Sequence, residues 1–385
     1  MYKFKYKGFG IKKNFKTLLK ELNKILLNEN EVINSLKRNY KYNYSKELIK
    51  KLKNYKTFQL VGMGGSILGS KAIYEFLKKK IKKKIIFFDD LDESLENKLN
   101  KDRVLNIIIS KSGNTLETIS NANLLLNKKS SNLFITEKNN NPLRSLAKKL
   151  KADIVDHNNY IGGRYSVLSE VGMIPSELIG LNEKKFKQYN NLIKNNKFIN
   201  ILLDSVASTL YLYKKGKSNS VILNYDSRSE NLFKWYQQLI AESLGKKSKG
   251  ILPIISNVPK DNHSTMQLFL DGKKNNFFTF FFTHEKNSKK IIKKNLPEKL
   301  YFLNNQTINS IKYAQKKASE KVFLKKKIPF RSFEVFNRDE NTLGELFTFF
   351  ILETILLGRA LKVNPYDQPA VELIKKQTKF YLSKK

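Results

Sequence analysis

Short apolar runs alternate with longer segments of helical periodicity along most of the chain, and this alternation constrains the fold more than any other feature. The runs are predicted strands, and in the first half they are Phe58–Val61, Ile85–Asp89, Val104–Ser110, Asn132–Thr136 and Asp153–Val155. The helical patterns between them begin near Ser66, Ser94, Asn114 and Pro142. Short apolar strands separated by helices are typical of a parallel sheet that is covered on both faces.

A second cycle of the same kind follows a helical stretch that is predicted to run from Glu177 to Leu212. Its predicted strands are Val221–Tyr225, Gly250–Ile255, Phe277–Phe282 and Arg331–Phe336. A chain of 385 residues is long for one core and suits two packed units. We therefore predict an α/β protein with two doubly wound parallel-sheet subdomains. The predicted divisions are a helical N-terminal extension (1–45), a first subdomain (46–176), a second subdomain (177–365) and a C-terminal helix (366–385).

The chain contains no cysteine, which limits both its chemistry and its compartment. A protein without cysteine has neither disulfides nor thiolate metal sites, and this is compatible with a reducing cytoplasm. The N-terminus has lysines but lacks the continuous apolar segment of a secretory signal. The apolar segment Leu346–Leu361 is interrupted by Glu353 and Arg359, and we predict a buried helix rather than a membrane span. These features predict a cytoplasmic protein without a membrane partner.

The formal net charge of +39 points at first sight to nucleic-acid binding. The lysines, however, are spread along almost the whole chain, together with many Asn, Ile, Phe and Tyr residues. Arginine, which makes bidentate contacts to phosphates and bases, is scarce. We interpret the charge as a bias of composition and predict no specific nucleic-acid partner. The charge can still steer an anionic substrate toward its site.

A glycine-rich loop, Gly62-Met63-Gly64-Gly65-Ser66, follows a predicted strand and opens a predicted helix. Glycine has no Cβ and a helix N-terminus presents free N–H groups, so such a loop lets an anionic ligand approach the backbone closely. Its spacing matches neither the dinucleotide fingerprint nor a Walker loop. A tight structural turn between strand and helix is the alternative interpretation.

A second loop, residues 110–118, has the sequence Ser-Lys-Ser-Gly-Asn-Thr-Leu-Glu-Thr. Four hydroxyl side chains and a lysine at a helix start can surround a terminal phosphate without a metal ion. The alternative is a capping cluster, in which Ser and Thr satisfy only the helix's own N–H groups. One hydroxyl is enough for a cap, so the surplus favours a phosphate-binding loop. The pattern resembles the phosphate loop of sugar-isomerase (SIS) proteins.

Two further motifs each carry one basic candidate. Arg164 follows Gly162 and Gly163 directly, where a guanidinium can lie against a charge that develops during a reaction. A surface arginine beside a turn is the alternative. Near the C-terminus, the segment 364–375 contains two prolines and leads into a predicted helix that presents Lys375. Among so many lysines, only its place in this motif makes Lys375 a candidate.

The most informative part of the chain is the helical segment that carries Gln238 and Glu242. Their spacing of four residues places an amide and a carboxylate on one helix face. His263 follows about a strand later. Core helices rarely need such a pair, whereas a proton-transfer site needs a positioned base and a second acid or base. The other two histidines, His157 and His284, lie beside apolar strands, and we interpret both as structural.

Together these motifs resemble those of the glucose-6-phosphate isomerase (phosphoglucose isomerase) family, in the expected order from about residue 58 to 380. The segments Gly-Gly-Arg-Tyr-Ser-Val (162–167) and Asn-Pro-Tyr-Asp-Gln-Pro-Ala-Val-Glu (364–372) are close to family signatures and highly specific. The two loops are shared by many SIS proteins. The resemblance implies two SIS-type subdomains with an abbreviated helical N-terminus.

The resemblance also implies a role for each candidate residue. Glu242 would be the general base, Arg164 would stabilise an enediolate, and His263 and Lys375 would handle ring opening. The phosphate would be held by Ser110, Lys111, Ser112, Thr115 and Thr118. The sugar pocket would be shaped by Gly65, Ser66, Gly163, Gln238 and Gln368.

The reaction implied by the resemblance is the reversible conversion of glucose 6-phosphate to fructose 6-phosphate through a cis-enediol, a step of glycolysis and gluconeogenesis. This chemistry needs a base that moves a proton between adjacent carbons and a donor for the enediolate oxygen. No redox cofactor and no metal ion are expected. In the family, the active site is completed across a dimer by the residue that matches His263, so the resemblance implies a homodimer with a shared site.

The sequence departs from the family pattern at Gly113-Asn114 in the phosphate loop and at Ile374 before the lysine. These departures leave the chemical groups intact but could loosen substrate choice toward mannose phosphate. One alternative is therefore a dual phosphoglucose/phosphomannose isomerase. The other is a non-catalytic SIS regulator that binds a sugar phosphate, which would not need Glu242, Arg164, His263 and Lys375 together.

Overall fold

The computed structural model describes residues 3–11, 15–27, 30–92, 104–126 and 130–384. The strands of this part of the chain, in order, are β1 (Phe4–Lys7), β2 (Thr57–Gly62), β3 (Lys84–Phe88), β4 (Val104–Ile109), β5 (Ser131–Thr136), β6 (Asp153–Asp156), β7 (Asn219–Asn224), β8 (Leu252–Asn257), β9 (Asn276–Thr283) and β10 (Phe330–Val335). They form two five-stranded sheets, with the orders β3-β2-β4-β5-β6 and β1-β10-β9-β7-β8. The first sheet is parallel throughout, and in the second all neighbours are parallel except β1.

Helices cover these sheets and connect their strands. In chain order they are α1 (Lys16–Leu27), α2 (Glu31–Asn34), α3 (Lys46–Leu52), α4 (Leu68–Leu77), α5 (Leu116–Leu125), α6 (Pro142–Lys149), α7 (Glu170–Leu178), α8 (Glu183–Phe186), α9 (Tyr189–Leu192), α10 (Asn196–Lys214), α11 (Glu230–Leu244), α12 (Met266–Asp271), α13 (Ile308–Lys325), α14 (Glu340–Ala360) and α15 (Val371–Leu382). The α/β class with two parallel-sheet subdomains and a C-terminal helix is thereby confirmed.

The predicted strands are confirmed to within two residues at each end. The predicted helix starts near Ser66, Asn114 and Pro142 are also confirmed to within two residues. The helix that we predicted near Ser94 lies outside the described residues. The helical stretch from Glu177 to Leu212 is wrong as a single unit, because it is divided among α7, α8, α9 and α10. One break falls at Gly180, whose φ of +94° is left-handed and ends the first of these helices.

The prediction of a wholly helical segment 1–45 is wrong for β1. This strand pairs antiparallel with β10 at the sheet edge, with Phe4 opposite Val335 and Tyr6 opposite Phe333. Phe4 and Tyr6 alternate with lysines, a period of two that suits a strand with one buried face. Phe4 is buried against Phe333. The boundaries of the predicted subdomains stay predictions.

The long helix α14 forms the centre of the second subdomain and confirms the prediction of a buried helix over Leu346–Leu361. It packs against α8, α10 and α11. Its Glu353 is buried, and the carboxylate pairs with the buried Arg331 of β10 and accepts a hydrogen bond of 3.1 Å from Tyr236 of α11. This network ties the helix that carries Glu242 to the sheet beneath it. Across the described ranges, no helix has both the length and the apolar character that crossing a membrane requires.

The two subdomains meet through α4 and α11, which pack directly against each other. The first of these helices follows β2 and the second follows β7, so each begins near the carboxyl edge of its own sheet. Ligands of open α/β sheets bind beside such edges. The fold therefore predicts a site where the loop after β2 faces α11.

One buried titratable group makes the stability of the fold depend on pH. His157 follows β6, is buried, and its Nδ1 lies 2.9 Å from the carbonyl oxygen of Asn158. Burial is the main reason that the pKa of His157 is lowered from 6.5 to about 4. Between these values the unfolded chain binds more protons than the folded one. The stability that the neutral imidazole allows is therefore lost as the pH falls through this window.

We expect His157→Gln, which stays neutral, to remove about 3 kcal/mol of the stability loss between pH 7 and pH 4. Urea unfolding of wild type and variant at several pH values would measure it. The control His263→Gln removes an exposed imidazole instead of a buried one and should keep the wild-type dependence. Equal pH dependence in wild type and His157→Gln would contradict the assignment.

Candidate active site

The glycine loop after β2 and the Gly-Gly-Arg motif are in direct backbone contact. Both are 3₁₀ turns, Gly64–Ser66 and Gly163–Leu168. A Cβ added to Gly65 would lie 2.2 Å from the carbonyl carbon of Gly163 and 2.5 Å from the nitrogen of Arg164. Only glycine permits this approach. The structure thus brings together two motifs that are about a hundred residues apart in the sequence.

Arg164 is buried at this junction, and all five N–H groups of its guanidinium donate hydrogen bonds. It donates to five acceptors, namely Oγ of Ser243 (2.8 Å), Oε2 of Glu242 (3.1 Å), the carbonyl oxygens of Pro365 (2.7 Å) and Asp367 (3.0 Å), and Oε1 of Gln368. The arginine is therefore not a surface residue beside a turn, the alternative that the sequence left open. A buried cation with saturated hydrogen bonds is held in one orientation.

Glu242 faces the same junction from α11. Its Oε1 accepts a 2.8 Å hydrogen bond from Nε2 of Gln238, and its Oε2 accepts from Arg164. The Glu242 side chain is 27% exposed, whereas the side chain of Arg164 has no exposed surface. The predicted pairing of Gln238 and Glu242 on one helix face is therefore present, and the carboxylate is oriented on both oxygens yet open to solvent.

The amphipathic pattern of α11 explains why these two polar residues face the junction rather than the apolar core. The opposite face is buried and contains Leu232, Phe233, Trp235, Tyr236, Leu239, Ile240 and Ser243. The indole Nε1 of Trp235 donates to the carbonyl oxygen of Arg164 at 3.0 Å. The helix is thereby fixed against the turn that carries the arginine.

The hydroxyl-rich loop lies at the end of β4, beside the glycine loop. Its neighbouring position follows from the pairing of Gly62 with Ile109 in adjacent parallel strands. Ser110 is buried, and its Oγ lies 2.9 Å from Oγ1 of Thr115. Thr115 occupies the N-cap position of α5, but its side chain makes no capping hydrogen bond. The capping alternative required these hydroxyls to accept hydrogen bonds from the helix's own N–H groups, and the N-cap Thr115 does not.

The rest of this loop has a defined shape. Gly113 has φ of +65°, and a Cβ there would collide with the side chain of Asn141, so the turn requires glycine. Lys111 donates to the carbonyl oxygen of Asn159 at 2.7 Å, and Ser112 donates to Oδ1 of Asn114 at 2.6 Å. Thr118 is buried in the first turn of α5, and its Oγ1 has no hydrogen-bond partner among the described residues.

A cavity of about 830 Å³ opens beside Glu242, between the end of α11 and the segment 364–371. Glu242 and Gln368 both line it. This volume lies in the range of small-molecule sites.

His263 and Lys375 are not brought to this cluster within the described part of the chain. His263 is exposed on the 3₁₀ turn Lys260–His263. Lys375 is exposed on α15 and donates to Oε1 of Glu372 at 2.7 Å. The helix α15 buries none of its residues. The roles of both residues stay predictions.

Two residues that the sequence analysis missed complete the surroundings of the arginine. The hydroxyl of Tyr165 donates to the carbonyl oxygen of Pro365 at 2.9 Å and lies 2.9 Å from Oγ of Ser243. Burial raises the pKa of Tyr165 to about 12, so the hydroxyl stays a donor at neutral pH. Tyr165 follows Arg164 and Ser243 follows Glu242 in the sequence. This adjacency to predicted site residues is the signal that could have identified them.

Comparison with known proteins identifies relatives over most of the chain. The family model described as "Phosphoglucose isomerase" matches residues 23–384. The glucose-6-phosphate isomerase of Methanocaldococcus jannaschii is 32% identical over 358 residues, which cover 87% of this chain and 86% of that protein.

Solved structures show the same fold. A hypothetical protein from Thermus thermophilus matches with a TM-score of 0.82 at 22% identity, over 96% of this chain and 94% of that one. A glucose-6-phosphate isomerase from Chlamydia trachomatis matches with a TM-score of 0.75 at 17% identity, over 99% of this chain and 88% of that one.

The backbone contact at Gly65 yields a test of the site's architecture. We expect Gly65→Ala to destabilise the protein by about 1–3 kcal/mol, because its Cβ would overlap the backbone of Gly163. The matched control is Gly163→Ala, whose Cβ would meet Gly65 at an ordinary 3.5 Å. Urea unfolding of both variants measures the difference. Equal stability of the two variants would show that the turns are not in contact.

Proposed function

This chain belongs to the phosphoglucose isomerase family, and from that membership we propose that it interconverts glucose 6-phosphate and fructose 6-phosphate with Glu242 as the general base. Membership of the family makes the protein an aldose–ketose isomerase. One observation carries the proposal for the base. The Glu242 carboxylate is held between Gln238 and the buried Arg164 while it stays open to the cavity.

In the proposed reaction, Glu242 takes the proton from C2 of the open-chain aldose and returns it to C1, while the hydroxyl proton on O2 is transferred to O1, so that the carbonyl moves from C1 to C2. The intermediate is a cis-enediol. A positioned base of this kind typically contributes ~10²–10⁴-fold to the rate. The hydrogen bonds from Gln238 and Arg164 orient the carboxylate, so little motion is needed before proton transfer.

Arg164 would stabilise the negative charge that develops on the substrate oxygen. Its burial and its five acceptors fix the cation before the reaction begins, so its positive charge would act on the substrate oxygen without reorientation. Because its five N–H groups already donate to protein acceptors, this effect would be that of the fixed charge rather than of a hydrogen bond to the substrate.

The loop of residues 110–118 would hold the substrate phosphate. Its hydroxyls, which do not cap the helix, and Lys111 lie at the start of α5, whose N–H groups favour an anion. Gly65, Ser66, Gly163, Gln238 and Gln368 would line the sugar. Binding the phosphate places the reacting carbons of the sugar next to the base.

His263 and Lys375 would open the sugar ring, and we propose that a homodimer brings them to the site. Both residues are exposed in the described chain, and α15 buries none of its residues there. A second copy would supply His263 to the pocket, and the same contact would cover the C-terminal helix. We place this enzyme in the cytoplasm, in keeping with the absence of cysteine.

The first prediction concerns the base. We expect Glu242→Gln to lower kcat by at least about 10²-fold, because the amide keeps the shape of the side chain but cannot accept the proton. A dehydrogenase-coupled assay of fructose 6-phosphate conversion measures kcat, and calorimetry measures sugar-phosphate binding, which should survive.

The matched control is Glu230→Gln, on the same helix, where Glu230 pairs with Lys234. Wild-type turnover in Glu242→Gln would remove the assignment of the base. A wild type that binds fructose 6-phosphate without turning it over would instead indicate the regulator. Conversion of mannose 6-phosphate as well as glucose 6-phosphate would indicate the dual isomerase.

The second prediction concerns the phosphate loop. We expect the double variant Ser112→Ala, Thr115→Ala to raise KM at least about tenfold, since hydrogen bonds to a charged group contribute ~1.5–3 kcal/mol each. The value of kcat should change less. The control Ser145→Ala removes an exposed hydroxyl of α6. An unchanged KM would mean that the phosphate binds elsewhere.

A further inference from the structure

Lys246 lies just beyond α11, four residues after Glu242, and its side chain is only 11% exposed. Its ammonium donates to the carbonyl oxygens of Asn364 and Asp367 and, at 2.9 Å, to Oδ1 of Asp367. In a chain with so many exposed lysines, this one is largely enclosed and makes three hydrogen bonds to a single segment. We call that segment, residues 364–368, the arginine-binding loop.

The arginine-binding loop is so named because it supplies three of the five acceptors of Arg164. These are the carbonyl oxygens of Pro365 and Asp367 and the amide oxygen of Gln368. The carbonyl oxygen of Asp367 accepts from Arg164 and from Lys246 at once. The lysine and the arginine therefore share one anchor point.

Other contacts hold the loop only before that point. Tyr165 donates to the carbonyl oxygen of Pro365, and Asn30 donates to the hydroxyl of Tyr366 at 2.9 Å. From Asp367 to Lys384 the chain is exposed. Among the described hydrogen bonds, those that tie Asp367 to the rest of the protein come from Arg164 and Lys246. Without Lys246, Arg164 would have to hold Asp367 in place, although Arg164 is itself oriented by Asp367.

The charges agree with a positioning role. Asp367 has a lowered pKa, first because Lys246 donates to its carboxylate, so the aspartate is ionised at neutral pH. The negative charge of Asp367 compensates the positive charge of Lys246, next to a second cation, Arg164. Burial lowers the pKa of Lys246, while its hydrogen bond to Asp367 acts in the opposite direction.

We propose that Lys246 is a positioning residue, which holds Asp367 so that the arginine-binding loop fixes the guanidinium of Arg164 against Glu242. This inference rests on the proposed isomerase function. A loosened guanidinium loses its effect on the charge that develops in the transition state, whereas the phosphate loop remains intact. The effect should therefore appear in kcat rather than in KM.

We expect Lys246→Met to lower kcat for fructose 6-phosphate about 10²-fold, the scale of a small misplacement in a site, with KM within about twofold of wild type. Lys246→Arg, which can still donate to a carbonyl and a carboxylate, should recover most of the loss. The matched control is Lys83→Met. Lys83 is likewise half-buried and donates to a backbone carbonyl oxygen, that of Leu178 at 2.8 Å, but it does not line the cavity beside Glu242.

Each outcome decides a separate question. A wild type without turnover overturns the proposed function before any variant is considered. If the wild type is active, equal kcat values for Lys246→Met and Lys83→Met overturn only the positioning role. A tenfold or larger rise in KM at constant kcat also overturns it, because Lys246 would then contact the substrate directly. Thermal unfolding of the variants, with Lys246→Arg as the folded reference, separates a loss of kcat from a loss of fold.

Discussion

The buried cation of Arg164 is the constraint on which the rest of the site depends. A charge without solvent is tolerated only when its hydrogen bonds are satisfied and its charge is compensated. Here the acceptors come from α11, about eighty residues after Arg164, and from a loop about two hundred residues after Arg164. Both subdomains and the C-terminal segment must therefore be in place before the guanidinium is stable. Because its hydrogen bonds are satisfied, the guanidinium is also preorganised for catalysis. The contacts that stabilise the fold here are therefore the contacts that orient the catalytic group.

The same rule separates the interior from the lysine-rich surface. Arg331 pairs with Glu353, Lys316 pairs with Glu334, and Lys187 donates to two backbone carbonyl oxygens, each from a buried position. Burial lowers the pKa of Lys187 to about 7, which shows how unfavourable an enclosed ammonium is. The excess positive charge of +39 therefore lies on the surface, while these buried cations have partners. This is why the charge predicted so little about the site.

The sequence predicted most of the architecture, because strands and helices leave periodic patterns that survive a biased composition. It also predicted that Gln238 and Glu242 share a face, since their spacing is local. It failed at β1, whose short lysine-rich segment is stabilised by pairing with β10 rather than by its own propensity. It could not predict that the carbonyl oxygens of Pro365 and Asp367 bind Arg164, because a backbone carbonyl has no signature in the sequence. The roles of His263 and Lys375 stay predictions for the same reason, since they depend on tertiary or quaternary contacts.

The exposed helix α15, which carries Lys375, gives a physical reason for the proposed homodimer. Its side chains Leu373, Ile374 and Phe380 are apolar and exposed, and a helix of 12 residues that buries no side chain is marginal in water. The proposed homodimer would bury these side chains, and it would do so on the element that carries Lys375. Assembly would then stabilise the helix and complete the site in one step. Activity of such an enzyme would depend on protomer concentration, because mass action would govern both the dimer and the ordered helix.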